Sequence, residues 1–299
     1  MSVLADNPPN PVATPMSTHS ALIAPSLALS SCVRAYITRS TVGAELPPDQ
    51  RLNYLPATPL CGIYWLLQGE GRIVRRGDQP VDEPVPSMSF AGPYTVPTVT
   101  VNPGPVRLFV LGLVPHALQA LAGVPIADYV DRVVPLHEVL DLSWQTMAQS
   151  VQSAHDDAER VRLIEAFLAP RWSPLSHATV PRVERVRDWS EALALRAATS
   201  GAGRSVRQME RRIKQWAGQP LRELRRMGRA EASFLQARAD PAADSSRHMP
   251  DWVGIAADTG YADQSHLCRE SRRITGLSPV ELRKAVQEDE GFWMYRLWG

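Results

Sequence analysis

With 299 residues, 44% of them hydrophobic, the chain can form one large domain or two ordinary ones. Charged side chains make up 21%, which argues against disorder throughout, and a net charge of +1 argues against a globally basic nucleic-acid binder. That total conceals an asymmetry. Residues 1–180 carry 11 basic and 15 acidic side chains, residues 181–299 carry 21 and 16, and the stretch 182–229 alone holds 13 against 5. Such a division points to a nucleic-acid-binding module joined to something else.

Cys32, Cys61 and Cys268 are too few and too scattered for a disulfide framework or a zinc site. The first twenty residues lack a basic region followed by an apolar core, so they do not read as a secretory signal. No run of 18 apolar residues occurs, so no membrane partner is expected. The expected compartment is the cytoplasm.

Proline divides the chain. Of 26 prolines, 22 lie at or before Pro181, which predicts strands and loops first and helices afterwards. Residues 1–30, rich in Pro, Ser, Thr and Ala, read as a disordered leader. Strands are predicted at 33–38, 62–67, 72–75, 87–90, 94–101 and 106–113. The runs at 62–67 and 72–75, joined through Gly69 and Gly71, read as a hairpin. Strands at this spacing suggest a small β-barrel or sandwich over 31–175. Helical periodicity begins at 116–121 and becomes an αα-hairpin at 142–154 and 158–168. Residues 169–181 have the composition of an interdomain linker.

The second half contains an internal repeat. Residues 205–224, SVRQMERRIKQWAGQPLREL, align with 263–282, DQSHLCRESRRITGLSPVEL, at an offset of 58. Each copy predicts a helix capped by Ser205 or Asp263 and ended by Gly218 or Gly276. Ser205 with Gln208 is a capping-box pattern. Met209, Ile213 and Trp216 form one inward face; Leu267, Ser271 and Ile274 form the other. Opposite them lie Arg207, Glu210, Arg211 and Lys214, and Gln264, Ser265, Cys268, Arg269 and Arg272. Each helix follows a short Ala-rich one, at 192–200 and 252–259. A short helix, a glycine turn and a second helix with a polar, Arg-bearing face make a helix-turn-helix. An amphipathic helix over 221–237 joins the two.

From Ile255 and Ala256 through Gly260, Tyr261, Ser265, Leu267, Arg269, Arg272, Arg273 and Gly276 to Ser278 and Pro279, the second copy resembles the signature of AraC/XylS-type transcriptional regulators. The resemblance covers about 182–285. It implies an all-α domain with two helix-turn-helix motifs, paired with an N-terminal sensing or dimerising domain; the β-rich 31–115 region is similar in kind to the cupin-like barrels of such regulators. Two departures stand out. Gly218-Gln219-Pro220-Leu221 replaces the usual Gly-x-Ser-Pro, and Ser271 stands where the family places a core Phe.

The expected fold is therefore α+β in two domains: a small β-barrel or cupin-like domain with a helical hairpin over 31–175, and an all-α DNA-binding domain over 182–285. A tail of aromatic residues follows at 286–299. The expected DNA-contacting residues are Arg204, Ser205, Arg207, Glu210, Arg211, Lys214, Gln264, Ser265, His266, Arg269 and Arg272. Arg can grip the O6 and N7 of guanine in the major groove or pair with a phosphate. For Arg269 the competing reading is a salt bridge to Glu270 or Glu231. Arg222, Arg225, Arg226 and Arg229 crowd the joining helix, where two or three are expected on phosphates. The expected partners are double-stranded DNA, RNA polymerase, a small-molecule effector and a second copy of the chain. No cofactor is expected, since His116, His137 and His155 form no metal-ligand pattern and no P-loop, Gly-x-Gly-x-x-Gly or Gly-x-Ser-x-Gly occurs. The rival readings are a cupin-like enzyme whose helical half assembles subunits, and an architectural protein without sequence preference. Six large apolar or aromatic residues between Phe292 and Trp298 should dock on the first domain or on a partner subunit.

Overall fold

The computed structural model describes residues 17–176, 185–199, 205–239 and 249–297. The first half holds strands β1 (His19–Ile23), β2 (Val33–Ser40), β3 (Leu52–Leu55), β4 (Cys61–Gln68), β5 (Arg72–Arg76), β6 (Gln79–Pro84), β7 (Met88–Ala91), β8 (Thr98–Val101), β9 (Arg107–Leu113) and β10 (Val133–Pro135). Helix α1 (Pro115–Ala122) precedes β10, and α2 (Leu142–Ser153) and α3 (Asp157–Ser176) follow it. The second half is helical: α4 (Val186–Thr199), α5 (Val206–Ala217), α6 (Leu221–Ala239), α7 (Trp252–Asp258), α8 (Gln264–Thr275), α9 (Pro279–Glu288) and α10 (Trp293–Leu297). Among the described residues, no helix is long and apolar enough to cross a membrane.

The strands form two antiparallel sheets, ordered β1-β2-β9-β4-β7-β10 and β3-β8-β5-β6. This corrects the expected barrel: the sheets do not close on each other. Their edges are built to stop pairing. β6 carries Pro80 and Pro84, and β10 is three residues ending at Pro135. The expected hairpin between 62–67 and 72–75 is also corrected. β4 pairs with β7 and β9 in one sheet, while β5 pairs with β6 and β8 in the other. The chain changes sheets at Gly69, whose φ of 81° turns it across.

Alternation along β4 sorts its side chains. Ile63 and Trp65 face the helical side, where Trp65 Nε1 donates to the Ala148 carbonyl of α2 at 3.0 Å. Tyr64 and Leu66 face the other way, into a cavity between the sheets. A strand buried on both sides reads as one apolar run. The half thus has three layers: helices, six-stranded sheet, four-stranded sheet.

Two boundaries differ from the sequence reading. The leader expected over 1–30 ends earlier: β1 pairs with β2 in register from His19–Ser40 to Ile23–Tyr36, and Leu29 is fully buried. Residues 1–16 lie outside the described ones. The linker expected over 169–181 is helical as far as Ser176. A proline inside a helix costs about 3 kcal/mol, but continuing past Pro170 buries Trp172, whose Nε1 donates to Ser31 Oγ at 3.0 Å.

The halves share one core. Trp65, Phe109, Trp144 and Leu168 from the first half are continuous with Trp189, Leu193, Ile213, Ala217, Leu224 and Met227 from the second. α5 packs on α1 and on the short 3-10 turn Ile126–Tyr129. Trp189 Nε1 donates to His116 Nδ1 at 3.1 Å, with the two rings stacked. The C-terminal residues dock on the same chain rather than needing a partner subunit: Trp293 sits with Ile37 and Val110, and Phe292 stacks on Tyr54 at 4.4 Å.

Candidate nucleic-acid interface

Local chemistry fixes the ends of α5 and α8. Ser205 Oγ accepts from the Gln208 N–H, and Asp263 Oδ1 accepts from the His266 N–H at 2.6 Å. Gly218 and Gly276 stop the helices at φ of 74° and 85°, each amide donating to the carbonyl four residues back. Both helices are 12 residues long. The other end of the second motif is equally defined: Asp251 caps α7, and Gly260 turns the chain at φ 83°.

α6 carries both motifs. Leu221, Leu224 and Met227, near its start, share a core with Ile213 and Ala217 of α5 and Leu193 of α4. Ala237, near its end, sits in a separate cluster with Trp252, Ile255, Tyr261 and Leu267. α4 crosses α6 closely at Gly228, where a Cβ would lie 2.9 Å from the Arg187 backbone. With 19 residues, α6 is about 28 Å long at ~1.5 Å per residue.

On α5, Arg207, Arg211 and Lys214 are exposed, Glu210 is half-buried and Ser205 is exposed at the cap. Arg204 lies outside the described residues. The half-buried Trp216 ring is covered by Arg196 at 4.8 Å and Arg212 at 5.6 Å. On α8, Gln264, Ser265, Arg269 and Arg272 are exposed and Cys268 is half-buried. His266 turns back toward its own turn: its Nδ1 accepts from the Ala262 N–H at 3.4 Å, and its ring meets the edge of Tyr261. Arg272 lies 3.6 Å from Glu281. The acidic partners considered for Arg269 are engaged elsewhere. Glu270 is buried beside Arg226 at 3.3 Å, and Glu231 accepts from the Val186 N–H at 2.7 Å and faces Arg34.

The arginines of α6 are less available for phosphates than their number suggests. Arg225 pairs with both carboxylate oxygens of Glu191 at 3.0 Å, and these bonds hold the Glu191 carboxyl below its usual range. Arg226 bridges Glu223 and Glu270, and Arg273 of α8 reaches Glu223 at 3.1 Å. Arg229 lies over Tyr261. Arg222 is exposed, 3.4 Å from Glu223. These contacts tie α6 to its neighbours; sequence spacing within one helix could not display them.

Ser271, where the resemblance expects a bulky aromatic, is buried and donates from Oγ to the Leu277 carbonyl at 2.8 Å. It lines a cavity of about 690 Å³ between the halves, with Ala57, Met227, Phe234, Trp252 and Ile274.

No family model matches this sequence, and none of the curated proteins matches it. Among solved structures the chain is similar to ToxT from Vibrio cholerae O395, at 9% identity over 91% of this chain and 98% of that one, with a TM-score of 0.38. It is similar at 11% identity to wild-type ToxT from V. cholerae strain SCE256 with an unsaturated fatty acid bound, over 78% of this chain and 93% of that one, with a TM-score of 0.35. At that depth of similarity the functional reading rests on this chain's own residues.

Among the described residues no group of His, Cys, Asp and Glu is arranged to hold a metal. Burial pushes the Cys32 thiol up to about 12 and the Cys61 thiol higher still, so both are neutral, packed side chains at neutral pH.

Proposed function

We propose that the chain is a sequence-specific DNA-binding transcriptional regulator of the AraC/XylS kind. In this reading α4–α5 and α7–α8 are two helix-turn-helix motifs that enter successive major grooves, with residues 31–175 as the controlling domain and 182–285 as the DNA-binding one. The observation that carries it is a duplicated arrangement. Two capped 12-residue helices, each apolar on one side and Arg-bearing on the other, are mounted near opposite ends of one helix. With its flanking turns, α6 spans a distance compatible with the ~34 Å between successive major grooves on one face of B-DNA.

Arg207, Arg211 and Lys214 on α5, and Gln264, Ser265 and Arg269 on α8, are the proposed base and phosphate contacts, being exposed on the presented faces. His266 serves the turn first, and Arg272 is shared with Glu281. A small-molecule effector has room in the cavity between the halves, whose volume falls in the range typical of ligand pockets. Movement there would be felt by α6 and α8 together, since both line it.

Genome-wide mapping of bound DNA followed by footprinting tests the proposal. Two short protected boxes about 10 base pairs apart are expected. Failure to enrich any sequence, or a single uninterrupted box of about one groove's width, overturns it.

A further inference from the structure

The docked C-terminal segment shows more than where the tail goes. Trp293 is 2% exposed and is held in a seat made by the first half. Its indole N–H donates to Asn53 Oδ1 at 2.8 Å. Asn53 is itself buried, and its Nδ2 donates to Asn102 Oδ1 at 2.8 Å. That bond fixes which way the Asn53 amide points, so its oxygen is presented as an acceptor before the ring arrives. One face of the indole meets the Arg39 guanidinium, 4.6 Å from the ring centroid. Arg39 is 2% exposed; within the first half it donates to Ser20 Oγ at 3.0 Å, and the docked tail adds its own Glu290 as a second partner. Ile37, Val110, Tyr64 and Leu108 supply the apolar surroundings.

The seat does not end at the ring. Behind Trp293 a cavity of about 70 Å³ continues between the sheets, lined by Leu55, Ile73, Ser89 and Tyr94. Ser89 is fully buried and its hydroxyl has no hydrogen-bond partner among the described residues. That hydroxyl borders the cavity. The first half therefore offers a directed acceptor, a cation for a π face, apolar walls and a second polar group further in.

We infer that the mouth of the inter-sheet cavity is a binding site for a flat heteroaromatic ring with one N–H donor, an indole or a close analogue, and that the chain fills it with its own Trp293. The class follows from the groups present. Asn53 Oδ1 requires a donor, Arg39 requires an electron-rich ring, and the walls require a planar apolar body. Ser89 leaves room for a small polar substituent on the ring. The tether makes Trp293 a strong competitor, because a covalently linked ring acts at an effective concentration of about millimolar or above. A free ligand enters only as the tail leaves, so its binding is coupled to the segment that follows α9. This inference rests on the seat alone and is independent of the DNA-binding proposal.

The test is chemical rescue in the full chain. Trp293→Gly should melt below wild type. Indole at about a hundred times its dissociation constant should return roughly 5 °C to that variant while leaving wild type unchanged. 1-Methylindole, which has the ring but no donor, should return clearly less. Adding Asn53→Ala to the variant should abolish the difference between the two compounds. Equal rescue by both compounds, or no rescue, overturns the site. If Trp293→Gly does not fold, Trp293→Phe keeps a ring in place without the donor. Indole should then accelerate tryptic cleavage at Arg296, by displacing the tail, more than 1-methylindole does; equal rates overturn the inference.

Discussion

Lowering the pH should loosen the seam between the halves at His116. Its ring is 3% exposed and stacked on Trp189, whose N–H donates to Nδ1. That bond leaves the ring proton on Nε2, which is buried and has no partner among the described residues. Protonating Nδ1 would set two N–H groups against each other in a site that also feels the Arg196 charge. Burial, with Arg196 adding to it, lowers the pKa from 6.5 to about 3. The unfolded chain binds this proton from about pH 6.5 downward, whereas the folded chain refuses it until about pH 3. Stability is therefore full above 6.5, falls as pH drops through that window, and levels off below it. Between pH 7 and pH 5 the loss is about 2 kcal/mol, at about 1.4 kcal/mol per unit. Urea unfolding followed by tryptophan emission at both pH values measures it. Carboxylates with depressed pKa values, such as Glu290 and Glu191, lose stability in the same direction, so the comparison needs a variant. His116→Leu cannot titrate and leaves the Trp189 N–H unpaired, at a cost of about 1–3 kcal/mol at pH 7. Its further loss on going to pH 5 should be smaller than wild type's by about 2 kcal/mol. Equal losses in the two proteins would refute the argument.

Other predictions concern α5, α6 and the tail. Arg207→Ala should cost about 1–3 kcal/mol on a mapped target site and relax preference at one position, while affinity for random DNA changes little; equal loss on both DNAs in a gel-shift titration removes it as a base reader. Arg225→Ala should change stability by less than about 1 kcal/mol, because its bond to Glu191 is half exposed, and should leave the salt dependence of DNA binding nearly unaltered; a slope reduced by about one would place Arg225 on a phosphate after all. Gly218→Val should destabilise the chain by more than about 2 kcal/mol, since φ is 74° and a Cβ would lie 2.9 Å from Ile126 Cγ2; thermal melting reads this, and a change within about 0.5 kcal/mol would refute it. Ending the chain after Glu288 should lower the melting point without altering the sedimenting mass; a shift from dimer to monomer would instead place the tail at a subunit interface.

What the sequence made legible was local. Ser205, Asp263, Gly218 and Gly276 act within one or two turns of themselves, so the ends of α5 and α8 could be read before any tertiary contact was known. The hairpin helices α2 and α3 follow from periodicity for the same reason. The sheets could not be read this way. β9 inserts between β2 and β4, and β8 between β3 and β5, pairings whose partners lie tens of residues apart. The runs 62–67 and 72–75 look like neighbours on one sheet because they are adjacent in the chain, yet a single turn at Gly69 sends them to different layers. Aromatic density marked Phe292–Trp298 as a segment that must dock, but its partner Asn53 is 240 residues away. The availability of the α6 arginines was equally hidden, since Glu191, Glu223 and Glu270 reach them only through packing.

The common core has a consequence for anyone dissecting the molecule. Charge and composition invite a cut between 176 and 185, as though two modules were strung on a tether. A fragment beginning at 185 would carry Trp189, Leu193 and Ala197 with no first-half helices over them, and Trp293 with no seat. Its second motif would keep the small cluster around Trp252 and Leu267, while the first would present a sticky apolar flank to solvent. Such a piece should precipitate or self-associate where the intact chain does not. Residues 17–176 expressed alone would be left with an uncovered groove beside Ile126 and an empty mouth between the sheets. Reporter fusions and domain exchanges that break the chain there would then measure the damage of exposure rather than the loss of whatever the first half does.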